Sequence, residues 1–169
     1  MKMVGLSVLL IVYVLIGRSL SLKVYSRKKE LELIIILLKT IKLQFDYVIM
    51  PTNEILILLS SKKDFENLKF LKLCNDIFKS GKSFYDSWCI SIDTFYSQLS
   101  LNNEDIELLK MFAMEFGSSD KGGQISNCDM YINLFEKQLE IAKEKTKTMP
   151  HLYNTLSALL GVLTIIILM

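Results

Sequence analysis

With one histidine, two prolines and three cysteines in 169 residues, the sequence lacks the side chains that several kinds of chemistry need. Cys74, Cys89 and Cys128 are odd in number and far apart, so no disulfide framework fits them, and no C-x-x-C pair is available to hold a metal. Set in apolar helical patterns, they read as buried thiols of a reducing compartment. His151 stands beside Pro150 with no companion ligand. GxSxG, HExxH and a Cys/His pair at hydrolase spacing are all missing. The stretch 117–123 (GSSDKGG) is superficially like a phosphate loop, but Lys121 precedes the paired glycines and no strand pattern leads into them. Carboxylates are scattered over helix faces and caps, so no catalytic pair is expected, and with it no enzyme, cofactor, metal or small-molecule substrate. A net charge of +2 without a basic patch interleaved with aromatics gives no case for nucleic acid. Alternating strand patterns and internal repeats are absent too.

Charge is also missing from the two ends, and there its absence is informative. Residues 152–169 (LYNTLSALLGVLTIIILM) contain no ionisable side chain. As a helix they make about 27 Å of apolar rod, a membrane span at the end of the sequence. Residues 1–17 (MKMVGLSVLLIVYVLIG) carry only Lys2 and reach about 25 Å, a deficit that Lys2 and Arg18 can cover by snorkelling. A cleaved signal peptide is the competing reading, because Ser19-Leu20-Ser21 offers a small-x-small site. Against it, Arg18, Lys23, Arg27, Lys28 and Lys29 follow with no acid before Glu30, and such a cluster resists translocation.

What remains is a mixed-charge middle, 18–151, a usual size for one compact domain in a chain that is 51% hydrophobic with a mean hydropathy of +0.34. Basic residues flank both apolar ends on the inner side: Arg18, Lys23, Arg27, Lys28 and Lys29 at one, Lys143, Lys145 and Lys147 at the other. The positive-inside rule then puts the middle in the cytoplasm, with both termini facing across the membrane. The same cations serve as topology signals or as attraction to anionic membrane lipid, at about 1 kcal/mol each near the surface.

The middle reads as six helices. The first, 26–50, gathers Leu31, Ile34, Ile35, Leu38, Ile41, Phe45 and Val48 on one face, and Pro51 ends it. A short second helix covers 52–60. Asp64 is expected to cap a third, which runs to Ser80 and is closed by Gly81. Ser83 opens a fourth with Phe84, Trp88, Ile92, Phe95 and Leu99 in register, Trp88 a core anchor in preference to a ligand platform. Asn102 caps a fifth, whose Ile106, Leu109, Phe112, Ala113 and Phe116 face inward. Asp120 caps the sixth, in which Ile125, Cys128, Ile132, Phe135, Leu139 and Ala142 recur at steps of three and four. Short loops make the bundle antiparallel. The expected fold is therefore all-α: a six-helix cytoplasmic bundle between an N-terminal and a C-terminal transmembrane helix. Small residues in the spans (Gly5 and Gly17; Ser157, Gly161 and Thr164) permit close helix approach or are ordinary membrane-helix residues.

The order of short span, basic stretch, six helices and final span resembles the stage III sporulation protein AB family of endospore-forming bacteria. So do Tyr47-x-x-x-Pro51-x-x-Glu54, Trp88, Leu109-Lys110-x-Phe112 and Gly117-x-x-Asp120-x-x-x-Gln124, in order and spacing. Gln44, Met50 and Thr52 depart from that family's acid, threonine and leucine at the Pro51 junction. The resemblance implies a noncatalytic platform subunit of the mother-cell to forespore channel, similar to the inner-membrane platform protein of type II secretion and type IV pilus machines. It further implies a channel ATPase and other membrane subunits as partners. Gly117, Asp120 and Gln124 are candidates for a hinge before the last helix, or for a simple cap and turn. A reading from a different class, a two-span membrane-lytic protein of the holin kind, leaves the large helical middle without a purpose.

Overall fold

In the computed structural model the described residues are 2–48, 50–117 and 120–168, with side chains described for 11–47, 50–117 and 120–166. The roles expected of Lys2, Gly5 and Val48 rest on side-chain surroundings outside that set, and residues 118 and 119 of the 117–123 stretch lie outside it altogether.

Among the described residues the chain is all helix, without strands. Six α-helices follow in order: α1 (Lys2–Leu43), α2 (Thr52–Ser61), α3 (Phe70–Lys79), α4 (Phe84–Phe95), α5 (Asn103–Glu115) and α6 (Lys121–Leu168). A π-helical turn, Gln44–Val48, follows α1, and single 3₁₀ turns occupy Lys63–Phe65 and Tyr96–Gln98. The apolar ends are not separate helices: 2–17 continues into the first helix and 152–168 out of the sixth. Nothing in either sequence stops propagation, and α6 passes through Pro150. A proline there removes one backbone donor and leaves the Thr146 carbonyl without its usual partner, a defect that helices of this kind tolerate.

The chain divides into two compact units, Met1–Lys29 with Leu139–Met169, and Glu30–Gln138. The second unit holds most of the core. Trp88 is fully buried, its Nε1–H donates to the Leu109 carbonyl at 3.0 Å, and the rings of Phe70, Phe84 and Phe112 surround it at 5.2, 5.3 and 6.1 Å. All five residues expected to face inward from α5 are buried. Consecutive helices α2, α3, α4 and α5 pack each on the next, as their short connections demand. Ser83 Oγ accepts from the Asp86 N–H at 3.0 Å, and Asn102 with Asp105 forms a reciprocal capping box, so both helix starts lie where the sequence puts them. Gly81 closes the turn after α3 at φ +98°.

The start of α3 differs from expectation. Asp64 makes no cap; the amides of Phe65, Leu68 and Leu71 each bond the carbonyl three residues back. These three side chains are buried at steps of three, the period of a 3₁₀ turn, and the α-helix begins only at Phe70. Across α1 and α6 of the same unit, Lys39 pairs with Glu136 at 2.8 Å and Lys42 with Asp129 at 2.7 Å, exposed bridges worth little in stability. Glu30 accepts from the Ser100 N–H and so ties α1 to the loop before α5; burial pushes its carboxyl above the ordinary value despite that bond.

Candidate functional site

Two stretches that the sequence separates by some seventy positions meet at one end of the Glu30–Gln138 unit. One is the junction after α1. There the π-helical turn leaves Tyr47 77% exposed, the most exposed large apolar side chain among the described residues, and Pro51 at φ −62° starts α2 without a side-chain cap. The Met50 N–H reaches the Gln44 carbonyl at 3.4 Å, which draws the chain in before the proline. The other is the turn between α5 and α6. Phe45 packs on Phe116 with ring centroids 5.4 Å apart, and Lys121 Nζ donates to the Asp46 carbonyl at 2.5 Å, so the two stretches form one surface.

Gly117, Asp120 and Gln124 are brought together in that turn. Gly117 sits at φ +79°, a conformation that a side chain would resist. Asp120 Oδ1 accepts from the Gly123 N–H at 2.9 Å, the N-cap expected of it. Gln124, missed as a core residue because its side chain is polar, is buried and bridges backward. Its Oε1 accepts from the Gly117 N–H at 3.0 Å, and its Nε2 points at the Glu115 carbonyl at 3.5 Å. The amide thereby satisfies the last groups of α5, which the αL residue leaves open. Asp120→Ala is expected to cost about 1 kcal/mol. Gln124→Ala, which strands two backbone groups instead of one, should cost more, about 1–3 kcal/mol. Urea unfolding of the full chain in detergent, followed at 222 nm, measures both.

The thiols offer no chemistry here. Burial pushes Cys74 and Cys128 up to about 12 and raises Cys89 as well, so none carries thiolate near neutral pH.

The unit formed by Met1–Lys29 and Leu139–Met169 has a different character. Towards the two termini its outward side chains are largely apolar: Leu15, Ile16 and Leu22 on α1 and Leu156, Leu159, Leu163 and Ile166 on α6 are all exposed. Among the described residues one helix is long and apolar enough to cross a membrane, α6 over Lys121–Ile166, and only 17% of its apolar window is buried. The two helices touch through small residues. A Cβ on Gly17 would clash with Ser157 Oγ and stand 3.0 Å from the Tyr153 carbonyl oxygen, and one on Gly161 would stand 3.4 Å from Tyr13 Cβ. Ser21 is buried between them, its hydroxyl 2.9 Å from the Gly17 carbonyl oxygen and 3.3 Å from both the Pro150 carbonyl and Asn154 Oδ1. One proton cannot serve three acceptors. With the hydroxyl donating to Gly17, a rotated Asn154 amide donates to Ser21 Oγ. Higher in the pair, Thr164 donates to the Leu160 carbonyl at 2.8 Å and lies 3.3 Å from Tyr13 Oη, whose proton completes the link. In the sequence Ser21 stands out only as part of a small-x-small site, and Asn154 and Tyr13 not at all, because each has its partner on the far helix.

Of the flanking cations, Arg18, Lys23, Lys29, Lys145 and Lys147 are exposed, and Arg27, Lys28 and Lys143 are half-buried. Lys143 and Lys147 pair within α6 to Glu140 and Glu144. This unit carries nine Lys and Arg against two Glu, a net +7, whereas Glu30–Gln138 carries eleven against sixteen acids, a net −5. The near-neutral whole conceals that segregation.

The family described as "Stage III sporulation protein AB (spore_III_AB)" matches over residues 2–169. Comparison with curated proteins gave no match, and neither did comparison with solved structures.

Proposed function

The chain belongs to the stage III sporulation protein AB family, and from that premise we propose that it is a noncatalytic platform subunit of the mother-cell to forespore channel. In this role it couples a cytosolic ATPase to the membrane components of the channel. Family membership supports a part in sporulation; the finer role rests on one observation, the contrast between the two units. A helical pair with bare apolar sides and a +7 charge suits a bilayer with anionic headgroups, and a −5 helical body suits contact with soluble protein. Both apolar ends cross the membrane in this reading, and the positive-inside rule keeps the body in the mother-cell cytoplasm. Arg18, Lys23, Arg27, Lys28, Lys29, Lys143, Lys145 and Lys147 lie where lipid phosphates would meet them. The surface around Tyr47 and Asp120 is the candidate contact for the ATPase, and the turn at Gly117, Asp120 and Gln124 the candidate hinge.

The experiment has two arms. Deletion of the coding sequence is expected to stop spore completion, and the tagged full chain is expected to retain the channel ATPase on membranes. Normal spores after deletion, or no retention of the ATPase, would remove the platform reading. Single cysteines at Ser60 and Met169 fix the threading: an impermeant maleimide should label Met169→Cys from outside and leave Ser60→Cys untouched.

A further inference from the structure

We propose that the cleft between α4 and α5 is the docking groove for a cationic amphipathic helix of a partner protein, an inference that rests on the platform reading and gives one of its contacts a place and a chemistry. The cleft has a volume of about 320 Å³ and is open to solvent, so it admits side chains of an incoming helix and does not enclose a small ligand. Ile106 is its buried floor. Tyr96 and Met111 stand exposed on its rim, and Met114, 68% exposed, extends the α5 side by one more helical step. Aromatic and methionine side chains at an open rim adapt to an apolar stripe laid against them.

Charge selects the occupant. Asp93 and Glu107 line the cleft, and its one cation, Lys110, is already held by Asp93 Oδ1 at 2.6 Å. Glu107 makes no ion pair among the described residues, and the whole unit around it is at −5. A helix with Lys or Arg beside its apolar stripe finds a carboxylate to pair with; an acidic helix or an anionic membrane surface meets repulsion. Asn103, hydrogen-bonded to Tyr96 across the end of the cleft, fixes the ring and with it the rim.

The test places benzoylphenylalanine at Met111 in the full chain, in a sporulating bacterium that lacks its own copy. Irradiation is expected to give one adduct, whose cross-linked peptide carries Lys or Arg around an apolar stripe. Glu107→Lys should lower the adduct yield about tenfold, and exchanging the captured cation for Glu should restore it. No adduct, an adduct with a second copy of this chain, a captured peptide without cations, or a yield indifferent to Glu107→Lys each overturns the proposal. The same cells are scored for spores. Spores without an adduct remove the groove alone, whereas normal spores in cells with the chain deleted remove the platform reading beneath it.

Discussion

Trp88→Ala is expected to destabilise the Glu30–Gln138 unit severely, enough to populate unfolded chains at physiological temperature. The indole is fully buried, wedged among Phe70, Phe84 and Phe112, so truncation opens a cavity that three rigid rings cannot collapse to fill. Loss of this kind costs about 3–5 kcal/mol, and the departing Nε1–H also leaves the Leu109 carbonyl with one fewer donor. Set against a total stability of about 5–15 kcal/mol for an ordinary domain, that is enough to populate unfolded chains. Trp88→Phe keeps most of the ring volume while losing the hydrogen bond and the second ring of the indole, so it should cost less than half as much. Thermal unfolding of the full chain in detergent checks the order, with wild type highest, Phe between and Ala lowest. Equal midpoints for the two variants would mean that ring volume counts for nothing. Because Leu109 and Phe112 flank Lys110 on α5, the Ala variant should also lose the adduct at Met111.

The parts legible in the sequence are those where cause and effect are neighbours in the chain. Ser83 and Asn102 cap because the N–H groups they accept from are three residues away, and the α5 stripe is inward because 3.6-residue periodicity needs no partner to be recognised. The all-helical class follows from the same local signals. The misread start of α3 shows where they fail: Asp64 has the right chemistry for a cap, but the burial of Phe65, Leu68 and Leu71 at steps of three won, and no local propensity encodes that choice. Gln124 and Ser21 were hidden for a related reason. Each is polar and buried because of backbone or side-chain groups in another turn or another helix, and distance along the chain conceals such partners. The joining of the Pro51 junction to the Gly117 turn through Phe45 and Phe116 belongs to the same class. The charge segregation was present in the sequence from the start, but only the division into units at Glu30 and Gln138 tells which residues to count together.

Gly17→Leu is expected to separate the two apolar helices. At this position even a methyl group is too large: the added Cβ would clash with Ser157 Oγ, stand 2.8 Å from Ser157 Cβ and approach the Tyr153 carbonyl oxygen at 3.0 Å. Backbone cannot yield as a flexible side chain does, so the helices must move apart, at a cost of about 1–3 kcal/mol for overpacking. Separation also breaks the contacts of Ser21 with Pro150 and Asn154, which only the close approach permits. Gly17→Ala decides between steric and local effects by its sign. Helix propensity alone makes alanine favourable over glycine by about 1 kcal/mol, whereas the clash makes it unfavourable, and Ser157→Gly in the same chain should recover most of the loss. The readout comes from the other small residue of the pair. Tyr13 Cβ lies 3.4 Å from where a Cβ on Gly161 would be, close to the separation of about 3.5–4.5 Å that a disulfide spans. Tyr13→Cys with Gly161→Cys should therefore cross-link under mild oxidation in membranes, while the buried Cys74 and Cys128, held as thiols, stay silent. Adding Gly17→Leu should abolish that cross-link, Gly17→Ala should weaken it, and Gly17→Ala with Ser157→Gly should restore it. A cross-link that forms equally in all four chains would mean that the helices are held by something other than the contact at Gly17.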